Sequence, residues 1–180
     1  MKEQTLLSSK DLEKNILKIV EEILDDNYDI SDVAIVGIKS RGEFIGRRIA
    51  DKIKNIKKID IPLGTLDITL YRDDLRNNLI LPELKKTDIP FDVENSIIIL
   101  VDDVLFTGRT IRAAIDALLD FGRPSKIKLA VLVDRGLREL PIQADYSGIN
   151  IETIPSEKIK VFLKETDKKD KVVLFNNNGI

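Results

Sequence analysis

The sequence contains no cysteine, no histidine and no tryptophan, and it has only one methionine. Without cysteine or histidine the chain cannot form a disulfide, a zinc site with nitrogen or sulfur ligands, or a catalytic pair that depends on imidazole. It also lacks the roughly 18 consecutive apolar residues of a membrane span, and residues 1–14 (MKEQTLLSSKDLEK) have no apolar secretion segment. We therefore expect a cytoplasmic protein with no membrane partner.

An excess of positive charge is also missing. The chain has 29 Lys and Arg residues against 31 Asp and Glu residues, a formal net charge of -2. A polyanion such as RNA must therefore be met by a local basic patch, because the overall field does not attract it. The 180 residues, of which 43% are hydrophobic and 33% charged, are enough for one α/β domain with a core, and we expect no second full domain.

The apolar pattern alternates between helical and strand periodicity. Apolar residues at helical spacing follow Ser8 and Asp11, which have the spacing of a capping box, and this predicts an amphipathic helix over residues 9–26. Short apolar runs predict buried strands over 33–36, 97–101 and 127–133, and helical patterns follow the first two of them. Buried strands separated by helices predict an α/β fold with a central, mainly parallel sheet flanked by helices, and with ligands at the carboxyl ends of the strands.

Residues 71–90 (YRDDLRNNLILPELKKTDIP) interrupt this alternation. The segment is polar, contains Pro82 and Pro90, and has no sustained periodicity. A loop of this length inside a compact domain is often a lid over a ligand. The pattern leaves two interpretations open, a flexible lid loop or a solvated insertion such as a hairpin arm.

The segment from Ile97 to Thr110 carries the groups best suited to chemistry. An apolar strand leads into Asp102 and Asp103, and Thr-Gly-Arg-Thr (107–110) follows at the start of the next helix. Unpaired backbone N–H groups at a helix N-terminus favour a phosphate, and the two carboxylates favour hydroxyls or a metal. Ribose 5-phosphate fits that combination. The alternative is structural, with the acids capping a helix and Thr-Gly forming only a turn.

The whole segment IIILVDDVLFTGRT (97–110) resembles the signature of type I phosphoribosyltransferases for phosphoribosyl pyrophosphate (PRPP). The resemblance implies that Asp102 and Asp103 hold the ribose hydroxyls and that residues 106–110 bind the 5-phosphate. It also implies that Mg²⁺ is bound mainly through PRPP, with no strong protein ligand. The full set of residues expected at the PRPP or nucleotide site is Ser40, Arg41, Gly42, Arg72, Asp102, Asp103, Val104, Leu105, Phe106, Thr107, Gly108, Arg109 and Thr110.

Three further segments narrow the resemblance. VGIKSRG (36–42), DITLYRDDL (67–75) and LVDRGLRELPIQADY (132–146) resemble the bifunctional pyrimidine-operon regulators known as PyrR, over residues 6–175. Membership implies a uracil phosphoribosyltransferase that makes UMP and pyrophosphate from uracil and PRPP, and also a UMP- or UTP-responsive regulator that binds the operon's leader mRNA. Two alternatives stay open: a regulator that uses the pocket mainly for a nucleotide effector, or a transferase for another base.

The resemblance assigns roles around the acid pair. Ser40, Arg41 and Gly42 are expected to form the pyrophosphate loop, where a guanidinium can bind an oxyanion with two parallel hydrogen bonds. Arg72 is expected to cover the pyrophosphate from the lid. The residues expected to be catalytic are Asp102, Asp103 and Arg41. With no histidine in the chain, a dedicated general base is not evident.

The base is expected under a small hood formed by residues 134–165 and the N-terminus, within one domain that spans residues 1–180. Asp134, Arg135 and Val161 are the candidate base-side residues, and the sequence does not decide which of them touches uracil. Phe106 stands where hypoxanthine and guanine transferases carry an Asp, so a purine is disfavoured, although orotate is not excluded by this position.

Binding of RNA would require a basic surface. The candidate residues are Lys14, Lys18, Lys39 and Arg138, and we expect a homo-oligomer because symmetry can double a small patch. Two departures from the family weaken this expectation. The first helix carries several acids, and Leu137 stands where familiar members have His.

Overall fold

Helices and buried strands alternate along the chain. The computed structural model describes residues 2–73 and 86–176. Its elements, in chain order, are β1 (Lys2–Leu7), α1 (Ser9–Asp25), β2 (Val33–Ile38), α2 (Arg41–Lys57), β3 (Leu63–Leu66), β4 (Ile97–Leu105), α3 (Arg109–Leu119), β5 (Lys126–Asp134), β6 (Tyr146–Asn150), β7 (Glu157–Phe162), α4 (Lys164–Asp167) and β8 (Lys171–Asn176).

The central sheet has the strand order β3-β2-β4-β5-β6, and every neighbouring pair is parallel. Side chains of β4 alternate between two apolar clusters: Ile97, Ile99 and Val101 pack on the face covered by α1 and α2, whereas Ile98 and Leu100 pack with α3. Helices on both faces explain the long apolar runs of the three inner strands β2, β4 and β5. The predicted α/β class is confirmed. Because all the strands are parallel, their carboxyl ends share one edge.

Helix α1 begins where the capping box predicted it. Ser8 N donates to Asp11 Oδ2 at 3.1 Å, and Asp11 N donates to Ser8 Oγ at 3.3 Å. These two bonds satisfy backbone groups that the first turn leaves unpaired. The apolar stripe is buried as expected and consists of Leu12, Ile16, Ile19, Val20 and Ile23. The helix ends at Asp25, one residue before the predicted boundary.

A second sheet, antiparallel and with the order β1-β8-β7, was not among the predicted elements. The range expected for the hood, residues 134–165, contains β7 and ends before β8. Strand β7 buries Val161, which is 1% exposed and lies in the same apolar cluster as Val133 and Val172. The small sheet is thereby joined to the main core.

Most of the expected lid, residues 74–85, lies outside the described residues. The ends of the segment are anchored: Asp73 Oδ2 accepts from Arg109 Nη1 at 2.7 Å, and Asp88 forms an antiparallel bridge with Thr65. Within the described part of the chain, no helix is both long enough and apolar enough to cross a bilayer.

Candidate active site

The acid pair lies within the last part of β4, because the strand continues past Val101 to Leu105. Asp102 is only 7% exposed. Its Oδ1 accepts from Asp103 N at 2.9 Å, and Asp103 Oδ1 accepts from Val104 N at 3.0 Å. The two carboxylates therefore stand at the carboxyl edge of the parallel sheet, where ligands of such folds bind.

Burial makes this pair electrostatically costly. It raises the pKa of Asp102 well above its ordinary value, and the neighbouring charge of Asp103 raises it further. Burial also raises the pKa of Asp103, although the nearby charge of Arg41 opposes that rise. The charge of Arg72 likewise opposes the rise in the pKa of Asp102. Both arginines expected at the pyrophosphate therefore lie near enough to act on the acid pair.

The expected phosphate loop follows β4 directly. Gly108 has a φ of 91°, a left-handed conformation that favours glycine, and α3 begins at Arg109. Together with Arg72 and Asp73, the loop lines a cavity of about 300 Å³. The cavity residues are Arg72, Asp73, Val104, Leu105, Phe106, Thr107, Gly108, Arg109, Thr110 and Ile111. The structure thus brings the start of the lid segment to the predicted phosphate loop.

The expected pyrophosphate loop lies at the N-terminus of α2. The peptide bond between Lys39 and Ser40 is cis, and α2 begins at Arg41. A Cβ atom on Gly42 would stand 2.3 Å from the carbonyl oxygen of Val101 and 3.1 Å from Cα of Asp102. Glycine at this position therefore lets the first turn of α2 pack directly on β4, beside the acid pair.

On the expected base side, Arg135 and Phe106 are stacked. The guanidinium carbon of Arg135 lies 4.1 Å from the centroid of the Phe106 ring. Arg135 is 6% exposed, and burial lowers its pKa, whereas Phe106 remains 37% exposed. Arg135 Nε donates to Thr153 Oγ1 at 3.0 Å, and Nη2 donates to the carbonyl of Ile154 at 3.3 Å. A cation over an aromatic face stabilises the arrangement of the two loops.

Asp134 and Arg138 form an ion pair at 2.5 Å in the loop that follows β5. Arg138 also donates to the carbonyl groups of Phe106 at 2.9 Å and Ile142 at 2.8 Å. The guanidinium expected to meet RNA is thus bonded within the loop that borders the site. Leu137, inside the same loop, has a φ of 58°, which is uncommon for a residue with a branched side chain.

The other residues expected at an RNA surface, Lys14, Lys18 and Lys39, do not all lie on the same surface. Lys14 and Lys18 line a groove beside α1, and Lys18 Nζ donates to the carbonyl of Ser147 at 2.9 Å. Ser147 and Arg138 line one open cavity of about 540 Å³, so Lys18 and Arg138 border the same surface. Lys39 instead pairs with Glu43 of α2 at 3.8 Å.

Asp167 was missed by sequence reasoning. Arg41 Nη2 lies 3.2 Å from both carboxylate oxygens of Asp167, which is 126 residues away along the chain. No local motif links the two positions. A weaker signal was present for the strand that leads to Asp167, since Lys158, Ile159, Lys160 and Val161 alternate between charged and apolar residues.

Comparison with known proteins agrees with this geometry. A family model described as "Phosphoribosyl transferase domain" matches residues 3–170. "Bifunctional protein pyrR" of Enterococcus faecalis is 48% identical over 178 residues, covering 99% of each chain. The protein of that name from Chloroflexus aurantiacus is 49% identical over 177 residues, covering 98% of this chain and 97% of the relative.

Solved structures with the same fold are more distant in sequence. A hypoxanthine-guanine phosphoribosyltransferase from Bacillus anthracis has a TM-score of 0.68 at 18% identity and covers 97% of this chain and 98% of its own. The hypoxanthine phosphoribosyltransferase of Trypanosoma cruzi has a TM-score of 0.69 at 16% identity, with 96% of each chain covered. At these identities the likeness shows the fold alone. From its curated relatives and the matching family model, the chain belongs to the PyrR family of phosphoribosyltransferases.

Proposed function

We propose that this chain transfers the phosphoribosyl group of PRPP to uracil, with UMP and pyrophosphate as products. The observation that carries the proposal is the meeting of a buried acid pair, a phosphate-type loop and a helix N-terminus bearing Arg41 at one edge of the parallel sheet. PRPP has a 5-phosphate, two ribose hydroxyls and a pyrophosphate, which are the groups that these three elements suit.

The charges suggest how the site works. As the bond from ribose C1 to pyrophosphate lengthens, the ring becomes positive and the leaving group gains negative charge. Arg41 and Arg72 stabilise the departing pyrophosphate, and Asp102 and Asp103 hold the ribose hydroxyls while offsetting the ring charge. Fixed groups of this kind act most strongly in a site that excludes water. The buried acid pair is costly before the substrate binds and becomes compensated when positive charge develops next to it.

We propose that Mg²⁺ is bound mainly through the phosphates of PRPP, beside the acid pair and not in a dedicated protein site. Among the described residues, no group of three or more His, Cys, Asp or Glu side chains is placed to hold a metal. Mg²⁺ typically needs only one or two protein carboxylates when substrate phosphates supply the other ligands. When bound, the ion neutralises charge on the leaving pyrophosphate. We assign no strong protein ligand to it.

The base side supports a pyrimidine. Phe106 offers a partly exposed aromatic ring at the position where purine transferases have an acid, and Arg135 holds that ring from the other loop. Asp134, at the end of β5, is the other proposed base-side residue. The side chain of Val161 in β7 is only 1% exposed and packs in the apolar core, so it offers the base no side-chain surface.

A panel of nucleobases tests the proposal. Uracil, orotate, hypoxanthine and guanine are each incubated with the protein, PRPP and Mg²⁺, and release of pyrophosphate is measured. Among the four bases, we expect turnover only with uracil, and we expect UMP as the product. Turnover with orotate or a purine in place of uracil would refute the assignment of the base.

We also propose a second function, in which a homo-oligomer of this chain binds the leader mRNA of the pyrimidine operon. This binding would respond to UMP and UTP. The support is the name "Bifunctional protein pyrR" of relatives that match nearly the full chain. Filter binding of the organism's own leader RNA, with and without UMP, is the direct test. If the protein binds RNA but has no transferase activity, it is a regulator that uses the pocket for a nucleotide effector. If it has transferase activity but does not bind RNA, it is an enzyme only.

A further inference from the structure

Arg41 joins the N-terminus of α2 to the small sheet's connecting segment. Its Nη2 donates to both oxygens of Asp167, each at 3.2 Å, and the two side chains are 28% and 19% exposed. One terminal nitrogen therefore serves the whole contact. A guanidinium presents five N–H donors, so among the described residues the contact with Asp167 leaves donors of Arg41 for a ligand.

A second atom of the same side chain points to a ligand. Arg41 Nε is buried and has no hydrogen-bond partner among the described residues. Buried donors in folded proteins are nearly always satisfied, so an isolated one calls for an acceptor that the chain itself does not supply. An anionic oxygen beside the acid pair would provide it. Arg41 is thus bonded to the protein through Nη2, while its Nε lacks a partner among the described residues and its charge acts on Asp103 of the acid pair.

Asp167 is itself held rigidly. Its Oδ2 accepts from Leu163 N at 3.1 Å and from Thr166 Oγ1 at 2.7 Å, while its own backbone N–H donates to the carbonyl of Leu163. The hydrogen bond from Thr166, the backbone N–H of Leu163 and the charge of Arg41 hold the pKa of Asp167 below its ordinary value. The carboxylate is therefore charged at neutral pH and fixed in direction before any ligand arrives.

We propose that Asp167 is a positioning residue for Arg41, which it orients so that the remaining guanidinium donors face the pyrophosphate of PRPP. The proposal rests on the function proposed above. Asp167 does not touch the substrate in this account; it limits the rotation of a long side chain that would otherwise lose rotamer freedom when the substrate binds.

A neighbouring ion pair offers a matched control. Arg48, two helical turns after Arg41 on α2, donates to Glu165 at 2.9 and 2.6 Å and to Asp170 at 2.8 Å. This cluster ties the same segment to the same helix, but nothing places it in the pocket. Glu165→Gln therefore weakens the attachment of the segment without removing the partner of Arg41.

The test compares Asp167→Asn with Glu165→Gln. Asp167→Asn keeps the shape of the side chain and removes its negative charge. We expect Asp167→Asn to lower kcat/KM for PRPP about tenfold, which is less than the roughly 100-fold that a 1 Å misplacement can cost, because Arg41 itself is retained. The affinity for UMP, which has no pyrophosphate, should stay unchanged in both variants, and Glu165→Gln should keep the wild-type kcat/KM. Thermal unfolding of each variant reports whether the fold is retained.

A double-variant cycle separates this inference from the proposed function. If Asp167 acts through Arg41, Asp167→Asn should have no further effect on PRPP use in an Arg41→Ala background. Three results would overturn the positioning role. They are wild-type PRPP kinetics in Asp167→Asn, an increased affinity of that variant for pyrophosphate, and a loss caused by Asp167→Asn in the Arg41→Ala background that equals the loss it causes in the wild type. Wild-type kinetics in Arg41→Ala alone would instead overturn the role of Arg41 in the proposed function.

Discussion

The buried carboxylate of Asp102 should make the ligand-free protein less stable than it could be. Asp102→Asn removes the charge and keeps Oδ1, which can still accept from Asp103 N at 2.9 Å. An uncompensated buried polar or charged group costs about 1 to 3 kcal/mol, and Arg72 offsets part of it here, so we expect a gain toward the lower end of that range. For a chain of this size, each 1 kcal/mol moves the melting temperature by roughly 2–4 °C.

The stability difference between wild type and Asp102→Asn should depend on pH. The folded-state pKa of Asp102 is raised by burial and by Asp103, so between the unfolded pKa of about 3.9 and the folded pKa the unfolded chain has already released the proton that the folded chain keeps. Stability contributed by this group is therefore present at low pH and is lost as pH rises through the folded pKa. Asp102→Asn has no such loss, so its advantage should be largest at neutral pH and should vanish toward pH values of about 4.

Calorimetry of the ligand-free wild type and variant across a pH series measures this difference, since substrates would shift both melting temperatures. The same preparations should show UMP synthesis reduced by at least about tenfold, because charge-assisted hydrogen bonds to the ribose hydroxyls are lost. A variant that melts below wild type at neutral pH, or gains stability equally at every pH, would refute the reasoning. Replacing both Asp102 and Asp103 by Asn should remove most of the turnover while the protein remains folded.

Three other changes have expected outcomes. Arg41→Ala should reduce turnover by an amount worth on the order of 2 to 4 kcal/mol while UMP still binds, which steady-state kinetics and calorimetric titration of UMP can check. Gly42→Ala should destabilise the fold by about 1 to 3 kcal/mol, measured by denaturant unfolding, because the new Cβ would lie 2.3 Å from the carbonyl oxygen of Val101. RNA affinity, measured by filter binding, should fall roughly linearly with salt on logarithmic axes, and a flat response would contradict phosphate contacts.

The sequence was most informative where a residue's environment depends on its close neighbours. The capping box of Ser8 and Asp11 and the apolar run before Asp102 need only a few adjacent positions. The bounds of α1 were predicted to within one residue, whereas β4 was predicted with its correct start but four residues short of its observed end at Leu105. The resemblance over residues 97–110 added the expected site residues, which stay a prediction. The turn at Gly108, after which α3 begins, is local to that segment.

Contacts between distant segments could not be predicted in the same way. The pairing of β1 with β8 joins the two ends of the described chain, and its register depends on packing that no short window contains. The bond between Arg41 and Asp167 depends in turn on that sheet and on α4. A one-residue change of register in β7 would turn Val161 outward and move the segment that presents Asp167, so the contact follows only from the complete fold.

The pairing of Phe106 with Arg135 shows what the fold adds to the predicted set of site residues. Each was expected near the ligand from its own motif, Phe106 beside the phosphate and Arg135 beside the base. In the structure they touch, and Arg135 is fixed from behind by Thr153 and Ile154, which precede β7. The loop expected to bind the 5-phosphate is therefore braced by the segment leading into the small sheet. A displacement of that segment would loosen the contact between Arg135 and Phe106, so the buried guanidinium connects the proposed phosphate loop to the proposed base side.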